Sequence, residues 1–172
     1  MLIWALVRIL MTNFNEIDIF TSVFDDMFSY IDLGHKFMCE VPSSTLDSTE
    51  EVNMLVGISG DMEGNIMFGY TFKTAKEIAA KMIGVPQIQE IDKFSKAALA
   101  DFYSEFCKQF VHKVKVETAF NLSSGDKNYV LLSSNPTYIA GEDMVGVISK
   151  VPSKKLFFKV NGEKFGIAYN LE

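Results

Sequence analysis

Cysteine is scarce in this chain: Cys39 and Cys107 are the only two among 172 residues. Two cysteines build no disulfide framework, and a chain of this length buries enough surface to fold without staples. A reducing, cytoplasmic setting is the simpler expectation. Histidine is equally sparse. His35 and His112 lie far apart and keep no metal-ligand spacing to a Cys or carboxylate cluster, so no metal site is expected. The G-x-x-x-x-G-K-S/T phosphate loop is missing, and Gly57, Gly60, Gly64 and Gly69 belong to strands and turns, so no nucleotide or other organic cofactor is expected. No G-x-S-x-G elbow marks a nucleophile. Basic charge is short as well: 16 Lys and Arg stand against 22 Asp and Glu, for a net charge of -6. No stretch interleaves Lys and Arg with aromatics as a nucleic-acid groove requires, which argues against DNA and RNA.

Long apolar runs are missing too. MLIWALVRIL (residues 1–10) is about half the length a spanning helix needs, so no stable membrane insertion is expected. Arg8 interrupts it, no basic region precedes it and no small-residue cleavage site follows, which makes it a poor signal peptide. Met11 serves equally well as a start, and an amphipathic anchor is the competing reading of the segment.

What the chain has is core-forming bulk: hydrophobic residues make up 48% and Phe occurs 15 times. With no linker and no low-complexity segment, residues 1–172 read as a single domain, with 1–10 as an extra apolar segment at its start. Ile17, Phe20, Phe24, Met27 and Ile31 recur at helical spacing, and Leu33-Gly34 ends that helix. Pro42 to Glu51 reads as a surface loop, followed by VNMLVGISG and NIMFGYTF as a hairpin across Asp61 to Gly64. Thr74 and Glu77 form a capping box for a second helix, TAKEIAAKMIG, which Gly84 and Pro86 close.

A third and longest helix is expected from an N-cap at Asp92 to about Val116. Leu99, Phe102, Phe106, Phe110 and Val114 line one of its stripes; Asp101, Ser104, Glu105, Lys108 and His112 line another. Taken alone, that second stripe reads as an ordinary solvated face. Cys107 reads as a small core residue. Gly125-Asp126 marks a turn, YVLLSS a strand that Pro136 breaks, and MVGVISKV, KLFFKV and KFGIAYNL a β-rich tail. Asn161-Gly162 between the last two runs is a strong hairpin signal. The fold class is α+β, a largely antiparallel sheet packed against long amphipathic helices. Chemistry by cofactor being unsupported, function is expected on a surface.

Three blocks carry a resemblance: VGISGDMEGNIMFGYTFKTAKEIAAKMIG (Val56 to Gly84), KAALADFYSEFCKQF (Lys96 to Phe110) and SSNPTYIAGEDM (Ser133 to Met144). In order and spacing, over about three quarters of the chain, they resemble CheX within the CheC/CheX/FliY family of phosphatases acting on phosphorylated CheY. The resemblance implies a CheC-like fold, a phosphorylated CheY-type receiver as partner, and a homodimer paired through its sheets. It also implies a Glu-x-x-Asn pair on the third helix, the Asn orienting a water and the Glu contacting a receiver lysine.

Aligned to that pattern, Asp101 takes the Glu position and Ser104 the Asn position, both departures. Asp101 and Ser104 are the expected catalytic residues, with Glu105, Lys108 and Pro136 as partner-binding positions. A second register would use Glu105 with Lys108, a worse match; the alanines before Asp101 favour the first. The shorter side chains leave two further readings: a receiver-binding module that has lost catalysis, and an assembly protein like the FliY-type relatives of the flagellar switch.

Overall fold

A computed structural model describes residues 15–43, 50–121, 130–140 and 153–172. Helix α1 (Glu16–Tyr30) leads into β1 (His35–Ser43), β2 (Val52–Gly60) and β3 (Gly64–Tyr70); α2 (Phe72–Ile83) and α3 (Lys93–Asn121) follow. The short strands β4 (Leu131–Ser133) and β5 (Thr137–Ala140) and the hairpin β6 (Ser153–Val160) and β7 (Glu163–Leu171) complete the described chain. The strands form one antiparallel sheet in the order β1-β6-β7-β3-β2-β4, with β5 also on β2. The expected α+β class therefore holds.

Alternation decides which side of the sheet meets the helices. Val52, Met54, Val56 and Ile58 of β2, Ile66, Phe68 and Tyr70 of β3, and Phe165, Ile167 and Tyr169 of β7 enter one core with the apolar stripes of all three helices. Aromatic contacts knit it: Phe24 stacks on Phe158 at 3.8 Å between ring centres, and Phe20 on Phe110 at 4.5 Å.

Several expectations need correction. The segment from His35 to Ser43 is a strand, paired with β6 and carrying an irregularity between Phe37 and Cys39. Its apolar residues do not alternate cleanly, and Pro42 looks like loop; an edge position tolerates both. Pro42 and Ser43 thus belong to β1 rather than to the surface loop. Thr137–Ala140, not anticipated as a strand, pairs with β2. The cap of α2 lies three residues earlier than the Thr74/Glu77 box: Thr71 Oγ1 accepts from the Thr74 N–H at 3.2 Å, and the Glu51 carboxylate accepts from the Phe72 N–H at 2.7 Å. Two orphan donors of the first turn are satisfied by these partners, one of them from a distant loop that no local pattern reveals. KLFFKV, part of the β-rich tail, lies inside the sheet between β1 and β7.

Other features agree. Gly84 ends α2 in the left-handed region at φ 79°, and Asn161 and Gly162 take φ of 47° and 83° in the turn between β6 and β7. The Gly125-Asp126 turn and MVGVISKV fall outside the described residues.

Candidate functional site

Helix α3 is fixed by its buried stripe. Asp92 caps it, its Oδ1 accepting from the Ser95 N–H at 2.8 Å and the Ser95 hydroxyl at 2.7 Å. These hydrogen bonds hold the Asp92 carboxyl below its ordinary range. Further along, Tyr103 packs on Phe68 at 4.6 Å, Phe102 on Phe28 at 5.3 Å and Phe106 on Phe68 at 4.9 Å. Lys113 Nζ pairs with Asp26 at 2.6 Å and ties α3 to α1. A helix held this way presents its opposite face with little freedom to shift.

That face carries the predicted residues. Asp101, Glu105 and Lys108 are exposed and Ser104 is half-buried, one turn from Asp101. Glu105 is occupied on its own helix: Lys108 Nζ stands 4.0 Å from it, and Gln109 Nε2 donates to it at 3.4 Å. Asp101 and Ser104 have neither an ion-pair nor a hydrogen-bond partner among the described residues. The geometry thus separates two residues free to meet a partner from a neighbouring pair already engaged with each other.

Pro136 lies elsewhere in sequence but on an element beside α3. It is half-buried in the connection between β4 and β5, and Lys96 Nζ of α3 sits 4.9 Å from the centre of the Tyr138 ring on β5. The break it makes is bridged by Ser134, whose N–H donates to Gly57 O and whose hydroxyl accepts from the Gly57 N–H, each at 2.8 Å. A side chain thereby replaces one link of the ladder where Pro136 interrupts pairing.

The groups behind the polar face offer no chemistry of their own. Burial pushes the Cys107 thiol up to about 12 and the Tyr103 phenol well above its ordinary value, so both are neutral near pH 7. Among the described residues no group of three His, Cys, Asp or Glu is placed to hold a metal ion, and no helix is long and apolar enough to cross a membrane.

One neighbour on this face was not anticipated. Phe94, in the first turn of α3, is 76% exposed and belongs to the same stripe as Asp101, seven residues before it. The signal lay in the sequence: extended one heptad toward the N-terminus, the polar stripe meets an aromatic residue.

No protein-family model matches the chain, and comparison with curated protein sequences returns no match either. Solved structures do match. The chain is similar to a chemotaxis protein CheX from Desulfovibrio desulfuricans, with a TM-score of 0.73 and 19% identity over 92% of this chain and 100% of that one. It is similar to the CheX of a CheX-CheY-BeF3-Mg2+ complex from Borrelia burgdorferi, with a TM-score of 0.64 and 20% identity over 91% and 95% of the two chains. A CheC-like superfamily protein from Shewanella sp. PV-4 matches with a TM-score of 0.66 and 17% identity over 92% and 99%. At these identities the likeness establishes the fold: three helices on an antiparallel sheet, in the arrangement of CheX and CheC-like proteins.

Proposed function

We propose that this chain docks the polar face of α3 onto a phosphorylated CheY-type receiver domain and hydrolyses the receiver's aspartyl phosphate. The observation that carries the reading is Asp101 and Ser104, unpaired among the described residues and one turn apart on the firmly anchored α3 of a CheX-like fold. The related Borrelia burgdorferi CheX, solved with CheY, supports the choice of partner.

An acyl phosphate is already activated, so its hydrolysis needs little more than a positioned water and tolerance of the developing charge. The Asp101 carboxylate pairs with a receiver lysine and fixes the docking register. The Ser104 hydroxyl oxygen accepts a hydrogen bond from the attacking water and holds it in line. Water oxygen bonds to phosphorus, the bond from phosphorus to the aspartate oxygen breaks, and the receiver carboxylate and inorganic phosphate leave. Glu105 and Lys108, paired with each other, border the contact, and Pro136 shapes the strand edge beside it. The reading includes a cytoplasmic protein working as a pair of copies. Among the described residues the outer strands of the sheet are β1 and β4 with β5.

A second reading has its own observation. Ser104 is half-buried and its hydroxyl is shorter than the amide it replaces in the resemblance, while Asp101 carries its carboxylate on a stem one methylene shorter. Misplacement of about 1 Å costs on the order of a hundredfold in rate. Phosphorylation-dependent binding without catalysis is what these features favour instead. Substitution separates the two. On the enzymatic reading Ser104→Asn accelerates phosphate loss about tenfold or more and Asp101→Ala slows it by a similar factor; on the binding reading neither changes the phosphate lifetime.

A further inference from the structure

The sheet has a second face, turned away from the helices. Alternation puts Ile66 and Phe68 of β3 and Ile167 and Tyr169 of β7 into the core, so Met67, Gly69, Gly166 and Ala168 belong to the other side, with Asn53 and Leu55 of β2 and Phe157 of β6. Leu55, Met67 and Ala168 are direct cross-strand neighbours, as are Asn53, Gly69, Gly166 and Phe157. Facing water, such a surface would be open. Met67 is instead 4% exposed, Ala168 6% and Asn53 0%, values of an interior, and Met67, Ala168 and Leu55 form an apolar cluster of their own. All three described helices pack on the opposite face.

Chain topology selects what lies there. Successive antiparallel pairs link β5 to β6 through β2, β3 and β7, so β5 and β6 point the same way. The chain between two parallel strands of one sheet has to cross a face. β3 and β4 are parallel as well, and α2 and α3 make their crossing on the helical face, stepping toward β4. From β5 to β6 the step runs the other way, so a crossing of the same hand lies on the opposite face. The span fits. Ala140 is level with Phe158, across Val52, Tyr70 and Phe165. Four strand spacings of about 4.8 Å and about five residues of strand therefore separate it from Ser153, about 25 Å on the diagonal. Residues 141–152 reach about 40 Å when extended. The connection from β1 to β2 makes the corresponding crossing from the other edge, and its described end lies on this face. Glu50 pairs with Lys164 of β7 at 3.0 Å, and its carbonyl accepts from Asn53 Nδ2 at 3.1 Å. Residues 44–49 of that connection offer one large apolar side chain, Leu46, whereas 141–152 carry Met144, Val145, Val147 and Ile148 in one run.

We propose that Met144 to Ile148 cross the outer face of the sheet and pack on Leu55, Met67 and Ala168 as a second, smaller core. Gly69 and Gly166, directly opposite each other, leave a trough that admits the crossing backbone. This packing does not depend on receiver docking. It makes the centre of the outer face interior and leaves the helical layer and the sheet edges for partners.

The test is a cysteine scan in a Cys39→Ser background, with the buried Cys107 left in place. Met67→Cys is paired in turn with Val145→Cys, Val147→Cys and Ile148→Cys, and, for the competing segments, with Leu6→Cys and Leu46→Cys. After mild oxidation each disulfide is located by peptide mapping and by mobility on a non-reducing gel. At least one of the first three pairs is expected to close within one chain, a disulfide bridging Cα atoms only out to about 7 Å. Closure only to Leu6→Cys or Leu46→Cys, or only between two chains, assigns the cover to another segment or to a second copy and overturns the proposal; so does no closure at all. Denaturant unfolding gives an independent measurement. Met67→Ala, and Val145→Ala with Val147→Ala, should each lower the unfolding midpoint, and all three together should lose clearly less than the sum. Strictly additive losses overturn the contact.

Discussion

At the scale of single residues, what distinguishes Asp101 and Ser104 from the rest of a charged helix is that nothing in the described chain uses them. Glu105, Lys108 and Gln109 satisfy one another, and Lys113 is committed to Asp26. Sequence alone put Asp101, Ser104, Glu105 and Lys108 on a solvated face, and helical periodicity has no means of separating engaged from unengaged side chains. The tether between α3 and α1 is the clearest case, since Lys113 and Asp26 lie far apart in sequence. Asp92 gives a prediction of a different kind. Its carboxyl is lowered in the folded protein by the Ser95 hydrogen bonds, so the cap's contribution is complete above the unfolded value of about 3.9 and is lost as pH falls through the lower folded value. In thermal melts, wild type should exceed Asp92→Ala in Tm by a constant margin near neutral pH, and the margin should shrink only below about pH 4. A margin that narrows between pH 8 and 6 would contradict the capping role.

At the scale of elements, backbone geometry sets where substitution is tolerated. Gly64 opens β3 at φ 152°, and a Cβ there would lie 1.8 Å from the Asn170 carbonyl oxygen of β7. Gly84 is also left-handed, at φ 79°, but no atom lies within 4 Å of where its Cβ would stand. Gly84→Ala should therefore cost about 1 kcal/mol, the conformational penalty alone, and Gly64→Ala clearly more, because β3 and β7 must separate. Equal unfolding midpoints in denaturant for the two variants would contradict the close approach. The helices and two hairpins were legible because each announces itself locally: apolar periodicity for α1 and α3, Gly84 and Pro86 for the end of α2, Asn161-Gly162 for the last turn. The strands β1 and β5 were not. Both lie along outer parts of the sheet, where irregular pairing and proline are tolerated, so neither needs a clean alternation in sequence.

At the scale of the whole molecule, the sheet builds a floor on which α3 is clamped with its polar stripe outward. The resemblance in the three sequence blocks pointed to the CheC-like fold; composition and periodicity reached only an α+β class. Phe94 escaped because the polar stripe was read from Asp101 onward. Assembly follows from the same view. KLFFKV lies between β1 and β7, so a pair of copies joined through the sheet would use β1 or the β4 and β5 side, the outer strands among the described residues. Light scattering of the purified protein should give twice the chain mass of 19.3 kDa; a monomer at micromolar concentration removes the dimer from the account.

The central claim is that Asp101 and Ser104 act on a receiver's aspartyl phosphate. Its direct measurement is the lifetime of that phosphate on a CheY-type receiver, alone and with stoichiometric wild-type protein or Asp101→Ala. The wild type should shorten that lifetime, and Asp101→Ala should restore it toward the receiver's own value. A lifetime that the wild type leaves unchanged, while it demonstrably binds the phosphorylated receiver, contradicts the enzymatic claim and makes the chain a module that holds its partner without acting on it.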